Sequence, residues 1–219
     1  MKGFQIAGAH TDVGKTYVAC ALLRAARARG LSVSALKPVV SGFDPRDWAD
    51  SDPGRLITAM GQPLTPRRLE TVAPLRFPAP LAPPMAARRE GRTVRLDDLR
   101  AICRPWLAAE LAEFGILETA GGVMSPIAED GLCLDLMAEG QLPILLVGGG
   151  YLGAISHSLT ALRVLTQAGL AVHAMVVSES ADPDAPDFDE TLESVGRWSG
   201  GVPVVAARRD DEAWAQGLV

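Results

Sequence analysis

The residues best suited to chemistry lie in residues 8–16, which read GAHTDVGKT. An apolar run at residues 4–7 precedes this stretch and a helix-forming run at residues 15–29 follows it, so strand, turn and helix are expected in that order. In such a turn, successive backbone N–H groups form a nest for anions, and the positive end of the helix dipole adds to the field. Lys15 would hold the outer phosphates of a nucleotide, and the Thr16 hydroxyl would coordinate magnesium.

The match to a phosphate loop is a stretched variant of the strict pattern. That pattern requires glycine at position 9, where the chain has Ala9, and the glycine comes one residue earlier, at Gly8. Gly14 lets the backbone approach a phosphate closely. The alternative is an ordinary glycine-rich turn between a strand and a helix, but the order of elements favours the phosphate loop.

Three further polar residues are placed at or near the ends of expected strands. Lys37 ends a strand at residues 33–37, where it could stabilise charge on a transferring phosphoryl group or simply extend its ammonium to solvent. Ser41 follows in a loop and could bond a substrate or satisfy a turn. Glu118 follows a buried strand at residues 116–117, a position suited to a magnesium ligand.

Thr16, Asp52 and Glu118 together offer the hard oxygen ligands that magnesium prefers. Asp52 has a strong alternative role, because Asp52-Pro53 is also a good N-cap and first turn for a helix running to about residue 61. A second glycine-rich stretch, residues 148–153, enters another helix. The free N–H groups at that helix start could hold a carboxylate, and an ordinary strand-to-helix turn is the alternative.

Short apolar strands alternate with helices along the chain, which predicts βαβ units and a parallel sheet buried on both faces. Ligands of such sheets lie beyond the carboxyl ends of the strands. Between residues 63 and 84 the many prolines predict an irregular surface loop. Besides those above, strands are predicted at residues 143–147, 172–177 and 202–206, and helices at 96–114 (kinked or broken at Pro105), 155–167 and 188–198.

Bulk composition limits the class of protein. A chain of 219 residues with 48% hydrophobic residues fits one folded α/β domain, residues 1–219. The net charge of −5 argues against nucleic acid as the main partner. No apolar run approaches the roughly 20 residues of a bilayer span, and the first strand leaves no room for a signal peptide. With Cys20, Cys103 and Cys133 read as buried thiols, the expected location is the cytoplasm.

Several motifs together resemble the dethiobiotin synthetase family over about 190 residues. The phosphate loop has that family's stretched form. The family's second motif, lysine-proline-valine-x-serine-glycine, corresponds to residues 37–42, and its third, glutamate-glycine-alanine-glycine-glycine, to residues 118–122. A fourth corresponds to residues 152–157. The resemblance implies a single-domain, P-loop NTPase-like fold.

The resemblance also implies a reaction: ATP- and Mg²⁺-dependent carboxylation of 7,8-diaminononanoate by CO₂ and ring closure to dethiobiotin, through a carbamate and a carbamic-phosphoric anhydride. It further implies a homodimer. Lys37, Lys15, Thr11 and Ser41 would be catalytic; Thr16, Asp52 and Glu118 would bind the metal; Thr11, Lys37, Ser41, Gly153, Ala154, Ile155 and Ser156 would bind the substrate; and Asp12, Val13, Gly14, Lys15, Thr16, Tyr17, Asp52, Glu118, Thr119, Ala120 and Gly121 would bind the nucleotide.

The chain departs from the family pattern near the nucleotide. Thr119 replaces a glycine, which is expected to change the backbone there, and Ser178 stands where the family usually has an asparagine that reads adenine. The base preference is therefore open. The alternative function is a nucleotide-dependent switch like the partition ATPases of the same fold family, but those carry an early lysine in the loop, where this chain has Ala9 and His10.

Overall fold

The computed structural model describes residues 1–109, 112–140 and 142–219. Strands and helices alternate through most of the chain, as predicted. The strands are β1 Lys2–Gly8, β2 Val33–Leu36, β3 Val39–Ser41, β4 Leu75–Phe77, β5 Phe114–Glu118, β6 Pro126–Ala128, β7 Gly131–Leu132, β8 Ile144–Gly149, β9 Val172–Ser178 and β10 Val204–Ala207; the helices are α1 Lys15–Ala28, α2 Asp52–Ala59, α3 Pro66–Val72, α4 Pro83–Arg89, α5 Leu96–Ala108, α6 Cys133–Met137, α7 Ala154–Gln167, α8 Phe188–Trp198 and a 3₁₀ helix at Ala213–Gly217.

Six parallel strands form the central sheet, in the order β10-β9-β8-β1-β5-β2. Ile6 of β1 pairs with Glu118 of β5 on one side and with Leu145 of β8 on the other. The chain leaves β1 toward β2 at one edge and later fills the other edge from β8 to β10, so β1 lies at the point where the strand order reverses. Ligands of open α/β sheets bind beyond the carboxyl ends of the strands at such a point.

Helices cover both faces of this sheet, because its strands are apolar on both sides. Ile6 faces a core shared with α1, α2 and the 3₁₀ helix, whereas its neighbour Ala7 faces a core shared with α5, α6, α7 and α8. Both residues are fully buried. The α/β fold with helices on both faces of a parallel sheet is therefore confirmed.

The prediction that Asp52 caps α2 is wrong. The cap is Ser51, whose Oγ accepts a hydrogen bond from Gly54 N at 3.5 Å, and Asp52 is the first residue of the helix. This shift of one residue frees the Asp52 carboxylate for a partner outside the helix. The loop predicted from Ser41 onward is also corrected at its start, because Ser41 is the last residue of β3.

The proline-rich segment is more regular than predicted. Pro66 lies in the first turn of α3, where its missing N–H costs nothing, and the side chain of Thr65 accepts from Arg68 N to cap that helix. Pro83 and Pro84 likewise open α4. The short strand β4 between these helices pairs with β3 in a second, two-stranded sheet.

The predicted end of the helix at residues 96–114 is wrong. Helix α5 continues through Pro105 and ends at Ala108, and Phe114 is already the first residue of β5. Residues 110 and 111 lie outside the described part of the chain.

The three cysteines are free and buried, as predicted, and burial raises the pKa of each thiol to about 12. In the described ranges, none of the helices combines the length and the apolar character that crossing a bilayer requires.

Candidate active site

A cleft of about 310 Å³ opens at the carboxyl ends of β1, β2 and β5. The phosphate loop forms one side, and residues of β3 and α2 form the other. Of the predicted site residues, the structure brings twelve into its lining: Thr11, Asp12, Gly14, Lys15, Thr16, Tyr17, Lys37, Ser41, Asp52, Glu118, Ala120 and Gly121.

The loop between β1 and α1 has the backbone expected of an anion nest. Gly14 immediately precedes α1 with φ of 92°, a conformation that favours glycine, and Asp12 also has a positive φ of 58°. Lys15 is buried, and its Nζ donates a hydrogen bond to the carbonyl of His10 at 3.2 Å, inside the loop. Burial lowers the pKa of the Lys15 ammonium, because removal from water disfavours the charged form, and the charge of Glu118 offsets this only in part.

Lys37 lies at the centre of a buried polar cluster. Its Nζ donates to Glu118 Oε1 at 2.6 Å and forms an ion pair with Asp52 Oδ2. Thr16 Oγ1 is 3.5 Å from the same Nζ and donates to Glu118 Oε1 at 2.7 Å. The ammonium of Lys37 therefore lies beside the anion nest and does not extend to solvent, which was the alternative for a lysine at a strand end.

The two carboxylates keep Lys37 charged although it is buried. Burial opposes the ammonium form, but the charges of Glu118 and Asp52 outweigh burial and raise the pKa of Lys37 above the usual lysine value. For Asp52, burial would raise the pKa, yet the Lys37 ammonium lowers it below its usual range. The cluster thus places opposite charges around a buried ammonium, where electrostatic effects are stronger than in bulk water.

The donor set fits a magnesium ion. Thr16, Asp52 and Glu118 lie around the Lys37 ammonium, and all three offer hard oxygen atoms. Glu118 is fully buried, and its Oε2 has no hydrogen-bond partner within the described ranges, an arrangement that a cation in the cleft would satisfy.

Thr119 does not line this cleft. Its buried hydroxyl and its backbone N–H both donate to the carbonyl of Ile6, at 3.1 and 3.2 Å, so its side chain points into the sheet. The threonine thus fits where the family has glycine. Val13 is buried and does not line the cleft either; it borders a second cavity next to it.

That neighbouring cavity, of about 410 Å³, adjoins the cleft and is lined by loops after β8, β9 and β10. It contains Ser178, and the position that a Cβ on Gly14 would take lies only 2.6 Å from Ser178 Oγ. Four residues border both spaces: Asp12, Gly14, Tyr17 and Arg55. The two cavities therefore form one continuous groove, which we call the nucleotide groove.

Residues 153–156 are not in the cleft of this chain. Gly153, with φ of 93°, is the N-cap of α7, and Ala154 is the first residue of that helix. That helix start is near the phosphate loop, because the His157 ring stacks on the His10 ring with centroids 5.3 Å apart. A third cavity of about 430 Å³ runs from Thr11 to His157 and Met124.

Sequence reasoning missed Arg55. It lies three residues after Asp52 on α2, one helical turn away, and that spacing is the signal that would have found it, because such residues share a helix face.

Comparisons with known proteins identify the family of this chain. A family model described as "AAA domain" matches residues 2–207. A protein from Phenylobacterium zucineum named "ATP-dependent dethiobiotin synthetase BioD" is 55% identical over 219 residues, which cover 100% of this chain and 94% of the relative. The chain belongs to the dethiobiotin synthetase family.

Further relatives carry the same name. One from Caulobacter vibrioides is 56% identical over 192 residues, covering 88% of this chain and 85% of the relative. One from Methylobacterium nodulans is 45% identical over 219 residues, covering 97% and 96%. The predicted family and its class of enzyme, a ligase, are confirmed.

Solved structures confirm the P-loop NTPase-like fold. The MinC:MinD cell division complex of Aquifex aeolicus matches with a TM-score of 0.55 and 8% identity, covering 99% of this chain and 86% of that chain. A ParA family ATPase from Chlorobium tepidum matches with a TM-score of 0.54 and 13% identity, covering 99% and 88%. At such identities the likeness shows the fold alone, so it gives no support to a switch function.

Proposed function

We propose that this protein, as a single domain of residues 1–219, catalyses the ATP- and Mg²⁺-dependent carboxylation of 7,8-diaminononanoate with CO₂ and its closure to dethiobiotin. The name of the family's members supports the reaction. The observation that carries the mechanism is the Lys37 ammonium, buried beside the phosphate loop within 3.5 Å of Thr16 Oγ1.

In the first step, one amine of the substrate attacks CO₂, loses a proton and becomes a carbamate anion. Lys37 would stabilise this anion, because its ammonium stays charged and lies beside Thr16 of the phosphate loop, where the terminal phosphate is proposed to bind. Thr11 and Ser41 line the same cleft, and their hydroxyl groups are proposed to position the amine and the carbamate.

In the second step, a carbamate oxygen attacks the γ-phosphorus of ATP and ADP leaves, which gives the carbamic-phosphoric anhydride. Little covalent chemistry falls to the protein here, so positioning and charge stabilisation dominate. Lys15 and the backbone amides of the phosphate loop hold the phosphate oxygens, and Lys37 neutralises charge on the transferring group. The second amine then attacks the carbonyl carbon, closes the ring and releases phosphate.

Thr16, Asp52 and Glu118 are proposed to hold Mg²⁺, which would draw charge from the phosphate oxygens. Glu118 supplies the buried carboxylate and Asp52 the more exposed one, with side chains 0% and 42% exposed. A bound cation would share Asp52 and Glu118 with the Lys37 ammonium, which contacts both carboxylates.

The substrate carboxylate is proposed to bind at the start of α7, residues 153–156, on a second copy of the chain in a homodimer. Their position outside the cleft of their own chain supports this arrangement. The third cavity beside Thr11, bordered by Val123, Met124 and Ala161, offers apolar surface for the hydrocarbon chain. Small molecules are then the main ligands, with no nucleic acid or membrane partner, and the buried free thiols fit a cytoplasmic location.

The test is phosphate release from MgATP, with dethiobiotin followed by mass spectrometry. We expect 7,8-diaminononanoate with bicarbonate to stimulate phosphate release. Lys37→Ala should lower dethiobiotin formation by about 100- to 1000-fold, the size expected for loss of a group that stabilises transition-state charge.

Lys2→Ala is the matched control, because Lys2 is an exposed lysine at the opposite end of β1 and should leave turnover unchanged. Circular dichroism and MgATP binding of Lys37→Ala separate a lost reaction from a lost fold. Nucleotide hydrolysis that ignores the diamine would contradict the proposal and favour the switch.

A further inference from the structure

We propose that Arg55 binds the phosphate chain of the nucleotide at the junction of the two halves of the nucleotide groove. This rests on the proposed nucleotide-dependent reaction and adds to it a binding residue that the family motifs do not contain. The observation behind it is that Arg55 borders both the cleft with Lys15 and Thr16 and the neighbouring cavity with Ser178.

Arg55 is fixed in place by the same helix that carries Asp52. Its neighbours Leu56 and Ile57 are fully buried in the core that α2 shares with α1. At the start of α2, the ion pair between Asp52 and Lys37 attaches the helix to the polar cluster. One turn farther on, the exposed Arg55 therefore projects over the groove, while its backbone is set by packing.

The charges in the cleft leave Arg55 available for an anion. Three cations line the cleft: Lys15, Lys37 and Arg55. Lys37 pairs with Asp52 and Glu118, whereas no ion pair within the described ranges involves Arg55. A guanidinium without a carboxylate partner, open to solvent beside an anion nest, has the geometry to bond phosphate through two N–H groups.

The position along the groove indicates which part of the nucleotide is bound. The phosphate loop and Lys15 hold the outer phosphates, and the base and sugar lie in the cavity beside Ser178. Arg55 stands between them, so its guanidinium contacts the inner phosphates. This predicts a contribution to ATP and ADP binding and none to binding of adenosine.

The experiment is isothermal titration calorimetry of the full chain with MgATP, MgADP and adenosine. Arg55→Ala should weaken MgATP and MgADP binding about tenfold or more, the size of a charge-assisted hydrogen bond, and leave adenosine unchanged. Arg55→Lys keeps the charge but loses the bidentate contact, so its affinity for MgATP and MgADP should lie between those of the wild-type protein and Arg55→Ala. In turnover, the KM for ATP should rise, while the KM for the diamine stays unchanged.

Arg67→Ala is the matched control, because Arg67 is an exposed arginine on α3 and is absent from the lining of the groove. Unchanged MgATP and MgADP affinities in Arg55→Ala would overturn the proposal, as would an equal loss for adenosine. If Arg55→Ala unfolds, Arg55→Lys provides the same comparison. Binding is measured without the diamine, so a failure here is distinct from a failure to form dethiobiotin.

Discussion

The cleft has two walls that meet at Lys37 and differ in their access to water. The sheet wall, formed by Lys15, Thr16 and Glu118, is buried, and the Glu118 side chain is 0% exposed. The α2 wall, formed by Asp52 and Arg55, opens to solvent, and the Asp52 side chain is 42% exposed. Water can replace a lost partner on the α2 wall but not on the sheet wall. Removing a carboxylate should therefore lower the free energy of unfolding more on the sheet wall than on the α2 wall.

The largest expected effect is at Glu118. Glu118→Gln keeps the shape of the side chain but removes the buried negative charge beside Lys37. We expect a loss of about 3 kcal/mol in the free energy of unfolding, near the lower end of the cost of breaking a buried ion pair, because Asp52 still contacts Lys37. Urea denaturation without nucleotide or magnesium measures it.

A double variant tests the cause of that loss. Adding Lys37→Met to Glu118→Gln removes the stranded cation, so most of the lost stability should return. If the double variant is less stable than Glu118→Gln alone, the loss comes from packing and not from charge, and the comparison of the two walls fails.

The second largest effect is expected at Gly14 of the phosphate loop, which borders the cavity that contains Ser178. Gly14→Ala adds a Cβ at φ of 92° and within 2.6 Å of Ser178 Oγ. We expect a loss of about 2 kcal/mol in the free energy of unfolding, from backbone strain and from this contact together. Thermal or urea unfolding gives the value, and MgATP affinity should fall with it.

Gly30→Ala is the control for backbone strain alone, because Gly30 has φ of 80° with nothing within 4 Å of an added Cβ. The excess cost at Gly14 then measures the contact with Ser178. Combining Gly14→Ala with Ser178→Gly should remove that excess. Equal costs at Gly14 and Gly30 would show that the loop is free to move away from Ser178.

Much of the sheet wall was predictable from sequence. Parallel strands end at one edge, so a phosphate loop after β1, Lys37 after β2 and Glu118 at the end of β5 had to lie close together. Hydrophobic runs and glycine signals likewise placed α1, α7 and α8 to within a residue at each end. These features depend on local pattern and on one rule of topology.

The α2 wall was harder to predict, because the roles of its residues depend on contacts with residues that are distant in sequence. Aspartate is a common N-cap residue, but the Asp52 carboxylate forms an ion pair with Lys37. Ser51 caps the helix instead. Arg55 has no motif of its own, and only its spacing from Asp52 connects it with the site. The assignment of residues 153–156 to the substrate stays a prediction.

The smallest expected effect is at Asp52, and it depends on pH. The Lys37 ammonium lowers the pKa of Asp52 in the folded protein, although burial alone would raise it. A carboxylate with a lowered folded-state pKa stabilises the fold above the unfolded pKa of about 4, and this contribution is lost as the pH falls through the folded-state value. Asp52→Asn should therefore lose no more than about 1 kcal/mol at pH 7, since the pair is partly solvated.

As the pH falls below 4 and through the lowered folded-state pKa of Asp52, the difference between wild-type protein and Asp52→Asn should shrink toward zero, because position 52 then becomes neutral in both proteins. Urea denaturation at pH 7, 5 and 3 measures this convergence. Asp44→Asn serves as the control for an exposed ion pair elsewhere, with Arg46 as the partner. A loss at Asp52 that equals the loss at Glu118 at pH 7 would show that both walls are equally closed to water, and the different exposure of the two carboxylates would then have no energetic consequence.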